Sequence, residues 1–97
     1  MPTLRNFRMV EKDIVVSNKL GLHARAAAKL VQLVQGFKSR IWLVSGGREV
    51  NAKSIMGVMM LAAGIGTPLK LRAEGPDEAQ ALDAVSALFD RKFDEGA

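Results

Sequence analysis

The spacing of apolar and polar residues changes period several times along the chain, and each change marks a new element. Ile14 and Val16 alternate with Asp13, Val15 and Ser17, the two-residue period of a strand over about residues 10–16. After a loop holding Gly21, the residues Ala27, Leu30, Val31 and Val34 recur along one helical face, and the pattern stops at Gly36, a natural C-terminal cap. Ile41 and Leu43 then face one way while Trp42 and Val44 face the other, and Ser45-Gly46-Gly47-Arg48 reads as a hairpin turn into a returning strand over 49–51. Ser54 is placed to cap a short helix over 55–61 that ends near Gly64. Leu69, Leu71 and Ala73 alternate with Lys70, Arg72 and Glu74, which predicts a strand with one wet face. Asp77 opens a last helix, with Gln80 completing a capping box and Leu82, Val85, Leu88 and Phe89 as its apolar stripe.

The order strand, helix, strand, strand, helix, strand, helix predicts an α+β fold, one sheet with its helices packed on one face. Pattern alone leaves open a ferredoxin-like arrangement, which orders its strands differently. Residues 1–9 carry Pro2 and two arginines but no period, and are expected to be a loose extension ahead of a single domain over 10–95.

Composition narrows the chemistry. A chain of 97 residues, 48% hydrophobic and 25% charged, has the make-up of one ordinary globular domain. It has no cysteine, so neither a disulfide framework nor a thiolate metal site is available. Nothing near its start resembles a signal peptide and no apolar run approaches ~18 residues, so a cytoplasmic location without membrane insertion is expected. The net charge of +4 suits acidic partners, although the basic residues are scattered and no run of five occurs.

A single histidine is more often an ordinary surface or core residue, but the setting of His23 sets it apart. In Gly21-Leu22-His23-Ala24-Arg25 it stands where a glycine loop meets the first helix, whose free N–H groups and positive dipole end attract anions. Arg25 offers a guanidinium fork matched to phosphate oxygens, and no acidic residue falls between Asp13 and Glu49. An imidazole is a competent nucleophile near neutral pH, and a phosphoryl group on nitrogen is readily passed on. One histidine without cysteines leaves too few ligands for a metal, and no cofactor motif is present. A second constellation, Asn51-Ala52-Lys53-Ser54-Ile55-Met56-Gly57-Val58-Met59, places more apolar residues on a short helix than one buried face can hold. Ile55, Met56 and Met59, flanked by Lys53 and Arg25, are therefore expected to form an exposed docking patch beside His23.

Together, Gly-Leu-His-Ala-Arg at 21–25 with Asn18 before it, and Asn-Ala-Lys-Ser-Ile-Met-Gly at 51–57, resemble the HPr family of the bacterial phosphoenolpyruvate-dependent phosphotransferase system. The resemblance covers about residues 10–93. It implies an open-faced β-sandwich, a four-stranded antiparallel sheet with three helices on one face. It implies a carrier rather than an enzyme: His23 takes phosphate from enzyme I and hands it to an enzyme IIA domain, with Arg25 on the phosphate and Ala24, Lys53, Ile55, Met56 and Met59 toward partners. Ser54 matches the position that an HPr kinase modifies in some lineages. A monomer is expected. Ala26 departs from the family's common proline, and alanine holds a helical φ well enough to keep the helix start. A nitrogen-related paralogue shares the His-Ala-Arg motif and is the alternative. A small basic RNA-binding domain is the rival from another class, disfavoured because only Trp42 is placed to stack a base.

Overall fold

The structure, a computed structural model, describes residues 9–95; apart from Met9, the expected extension over 1–9 lies outside the described residues. Its elements are β1 (Val10–Val15), α1 (Ala24–Val34), β2 (Arg40–Ser45), β3 (Arg48–Asn51), α2 (Ile55–Met60), β4 (Pro68–Glu74) and α3 (Glu78–Asp90), followed by one turn over Lys92–Asp94. The strands lie in the order β1-β4-β2-β3 and every neighbouring pair is antiparallel. This is the open-faced sandwich, and the ferredoxin-like arrangement is not what forms.

Alternation decides which face is inside. The register sets Ile14 opposite Leu69, Leu43 opposite Leu71 and Ile41 opposite Ala73, all buried on one face. That face meets Ala26, Ala27, Leu30 and Val34 of α1 and Ala81, Leu82, Val85, Leu88 and Phe89 of α3. The opposite face is mixed, with Trp42 and Val44 set opposite Arg72 and Lys70, and on it Arg72 reaches Glu11 at 2.5 Å and Glu49 at 3.1 Å, tying an edge strand to the far hairpin. Exposed pairs of this kind each add only ~0–1 kcal/mol, so the buried face carries the stability. The β2–β3 hairpin turns through Gly46 and Gly47 at φ of +53° and +84°, the two left-handed residues a two-residue turn requires.

One expected cap is replaced by another. The Asp77 side chain makes no bond to the first turn of α3, and no capping box forms with Gln80. Its carboxylate instead accepts the N–H groups of Lys38 and Ser39, each at 2.9 Å, and the Ser39 hydroxyl at 2.5 Å. Two amides and a hydroxyl offered by the chain entering β2 outcompete one N–H of its own helix. The reciprocal bond falls to Glu78, which accepts the Gly75 N–H at 3.0 Å. Asp77 thus fastens α3 to the start of the central strand β2.

The Ser39 hydroxyl, and then the Lys38 amide, hold the Asp77 carboxyl below the usual carboxylate range. Because the folded value is the depressed one, this contribution is complete above the unfolded value of ~3.9 and fades as pH falls through the folded value. Asp77→Asn is therefore expected to lower the melting temperature at pH 7 and flatten its decline between pH 5 and 2. Melting curves across that range check both, and an unchanged acid limb would remove Asp77 from the account.

Candidate functional site

The loop before α1 is built to present His23. Gly21 has φ +69°, and a Cβ there would meet Ala63 O at 2.5 Å and Gly64 Cα at 2.8 Å, so only glycine lets the two loops touch. Leu22, buried, donates its N–H to Ala63 O at 2.9 Å, and the fully buried Asn18 donates Nδ2 to Gly21 O at 2.7 Å. His23 is consequently the N-cap of α1. Its carbonyl accepts the Ala27 N–H at 2.8 Å, while its ring makes no capping bond. The first turn of α1 carries no acidic residue and no side-chain cap, leaving the positive helix end uncompensated by its own side chains.

The acid the sequence did not lead us to expect here comes from 72 residues downstream. Glu95 Oε2 lies 2.5 Å from His23 Nε2, and Glu95 Oε1 accepts Asn18 Nδ2 at 3.2 Å. The His23 bond and the Asn18 bond hold the Glu95 carboxyl below its usual range, against the opposing effect of burial. A nearby sequence free of acids is therefore not a site free of acids. Nδ1, the other ring nitrogen, has no partner among the described residues. A pocket of about 430 Å³ opens over the ring, lined by Lys19, Leu20, Arg25, Lys29, Asp94 and Glu95. Arg25 is exposed with no ion pair among the described residues, free to meet an anion, whereas Lys29 spends its amine on Phe93 O at 2.7 Å.

The second constellation is only partly beside the first. Ser54 caps α2, its Oγ accepting the Gly57 N–H at 3.0 Å, as expected of the position. But Lys53 donates Nζ to Phe37 O at 2.7 Å and its carbonyl lies near Gln35, which places Lys53 and Ser54 at the C-terminal end of α1. Arg25 stands at the other end, ~15 Å from the C-cap Gln35 by the rise of ten helical residues. α2 packs on α1 between these two ends, so Ile55, Met56 and Met59 lie between Lys53, whose amine is engaged by Phe37, and the end of α1 that carries Arg25. Ile55, Met56 and Met59 are exposed, Met56 most at 71%. Met60, part of the same apolar excess, is exposed at 61%, as are Leu20 and Ile65, which the sequence reading did not single out, at 68% and 61%, and Leu20 borders the His23 pocket.

The family model of the PTS HPr component phosphorylation site matches residues 10–91. The chain belongs to the HPr family. It is 56% identical over 88 residues to the phosphocarrier protein HPr of Cupriavidus necator, covering 91% of this chain and 99% of that protein. The HPr structure from Thermoanaerobacter tengcongensis superposes with a TM-score of 0.86 at 48% identity, covering 89% of this chain and 97% of that one. The phosphocarrier protein NPr of Shewanella violacea is 44% identical over 88 residues, 91% of this chain and 97% of its own. HPr proteins are phosphocarriers of the phosphotransferase system, not enzymes in their own right. No described helix is long and apolar enough to cross a membrane.

Lys19, Leu20, Lys29, Asp94 and Glu95 line the pocket and were missed by sequence reasoning. One signal was available: Phe93 lies four residues beyond Phe89, so the apolar stripe of α3 continues past the end of the helix and ties the following residues down.

Proposed function

We propose that this chain, as a monomeric domain over residues 10–95 in the cytoplasm, accepts a phosphoryl group on His23 from phosphoenolpyruvate-charged enzyme I. It passes that group to an enzyme IIA domain in carbohydrate uptake or its regulation. The observation that carries the reading is the chain's single imidazole, partly exposed at an uncapped helix N-terminus, with Arg25 beside it and one ring nitrogen unpartnered among the described residues. The imidazole attacks phosphorus, the donor leaves with the electron pair of its bond to phosphorus, and Arg25 with the first-turn amides balances the charge of the phosphoryl oxygens. A helix end supplies only ~0.3–1 kcal/mol at an exposed site, a grip light enough for onward transfer. No cofactor or metal enters this scheme, and the basic rim serves acidic partner surfaces rather than nucleic acid. Phe89 and Phe93 are committed to the core, which weakens the RNA-binding alternative.

Incubation with labelled phosphoenolpyruvate and either sugar-branch or nitrogen-branch enzyme I tests the reading. Acid-labile, base-stable label that maps to His23, acquired faster from the sugar branch, is the expected result. Faster labelling by the nitrogen branch would reassign the chain to the paralogue that its 44% identity to NPr keeps in view. Absence of label from both would remove the carrier assignment.

Ser54 is the proposed regulatory position, as a substrate of an HPr kinase. Phosphate there sits at the start of α2, where negative charge is tolerated, so its effect falls on docking through Ile55, Met56 and Met59, with Ala24 and Lys53 at the margins. Ser54→Asp keeps a good N-cap residue. The expected result is phosphorylation at His23 slowed about tenfold, as for a misplaced interface charge, with the melting temperature equal or slightly higher. Transfer kinetics paired with a melting curve check this, and unchanged kinetics would leave Ser54 as a cap alone.

A further inference from the structure

Glu95 is placed on His23 by a turn that would not hold itself. Lys92, Phe93 and Asp94 all have left-handed φ, +56°, +56° and +60°, and none is glycine. Such conformations persist when surrounding contacts over-determine them. Here Phe93 is fully buried against Phe89, Lys29 donates to Phe93 O, and the buried Asn18 donates to Glu95. Asn18 also braces the loop that presents His23, so one side chain ties the ring and its acidic partner into a single frame. The other charged groups lining the pocket are Lys19, Arg25, Lys29 and Asp94; of the two carboxylates, only Glu95 is bonded to the ring.

We propose that Glu95 is a positioning residue for phosphoryl transfer at His23: its carboxylate accepts the Nε2–H, fixes the ring, and balances the positive charge the ring gains when its other nitrogen bonds phosphorus. The inference rests on the carrier reading given above. In acceptance the Nδ1 lone pair forms the N–P bond, the donor departs with the electrons of the bond that breaks, and the Nε2 proton stays in place. The ring becomes an N-phosphorylated imidazolium facing the carboxylate, and onward transfer reverses these changes. The carboxylate thereby speeds both directions. It also keeps the phosphorylated ring in its protonated form, the better leaving group, so it shortens the life of the phosphoryl group toward water.

Glu95→Ala and Glu95→Gln separate the parts of this role, because glutamine keeps an acceptor for Nε2–H but not the charge. In the unphosphorylated chain, nuclear magnetic resonance should show an exchange-protected Nε2–H, lost in Glu95→Ala and retained in part in Glu95→Gln. With enzyme I, both variants should show kcat lowered on the order of tenfold, the difference between a charged and a neutral hydrogen bond, with KM little changed. Their phosphorylated forms should hydrolyse several-fold more slowly than the unsubstituted chain. Unaltered turnover and lifetime in both variants would overturn the proposal and leave Glu95 as a tie for the chain end, as would an unprotected Nε2–H in the unsubstituted chain. A chain with a protected Nε2–H that takes no phosphate at all would instead strike at the carrier reading.

Discussion

His23→Ala is expected to abolish phosphoryl acceptance from phosphoenolpyruvate and enzyme I while leaving a folded domain. The loss should be complete because the chain contains no second histidine to substitute. The fold should survive because the ring makes no capping bond to α1 and its side chain is 28% exposed, so neither a cap nor core packing is removed. What alanine does remove is the partner of Glu95, a surface-near contact whose loss costs little beside the core. Arg25→Ala provides the contrast. Its side chain is exposed and serves no buried contact, so melting should be unaffected, while losing one charge-balancing donor should slow transfer up to ~10²-fold. Labelling kinetics and melting curves on the two variants check both statements. Residual acid-labile label in His23→Ala would mean that another nucleophile does the work. A melted Arg25→Ala whose folded fraction transfers normally would show that Arg25 serves structure rather than phosphate.

Periodicity carried the fold because β4, α1 and α3 each bury one face, and one-sided burial writes itself into spacing. The alternation at Leu69, Leu71 and Ala73 and the stripe Leu82, Val85, Leu88 and Phe89 are both buried as their spacing predicts. Strand order is a different matter. It depends on which edges pair after collapse, and β1 lying beside β4 rather than β2 leaves no local mark in the chain. The resemblance supplied the open-faced sandwich, and the order itself is read from the structure. Caps failed where a distant group made a better offer, as when Lys38 and Ser39 drew Asp77 away from its own helix. The site divides along the same line. His23 and Arg25 are neighbours in sequence and could be read together, since both stand at the start of one helix. Glu95 reaches the ring only through the Phe93 anchor and a left-handed turn, and no pattern in the sequence announces three such residues in a row. The exposure of Ile55, Met56 and Met59 was legible as an excess of apolar residues on α2. Which end of α1 meets Lys53 was not, because that is a tertiary fact.

Phe93→Ala is expected to cost more stability than any substitution at the site itself. The Phe93 ring is fully buried and meets Phe89 edge to face, centroids 4.8 Å apart at 64°. Truncating such a ring removes ~3–5 kcal/mol of burial and leaves a cavity, out of a total near 5–15 kcal/mol for a domain of this kind. The turn over Lys92–Asp94 sets a limit on that loss. Three non-glycine residues held at left-handed φ store roughly 1 kcal/mol or more each, which burial of Phe93 must offset with margin to spare. Once the ring is gone the turn is free to relax, and part of the cavity cost is recovered by letting residues 92–95 peel away. The expected fall in melting temperature is therefore about 10–20 °C, at ~4–8 °C per kcal/mol, rather than the larger drop a rigid core would suffer. The same relaxation withdraws Glu95 from His23. Phe93→Ala should accordingly show the loss of Nε2–H protection seen in Glu95→Ala, even at temperatures where the sheet remains fully folded. A drop of only one or two degrees with the Nε2–H still protected would mean that Lys29 and Asn18 hold the chain end by themselves. The Phe89–Phe93 pair would then be packing without consequence for the site.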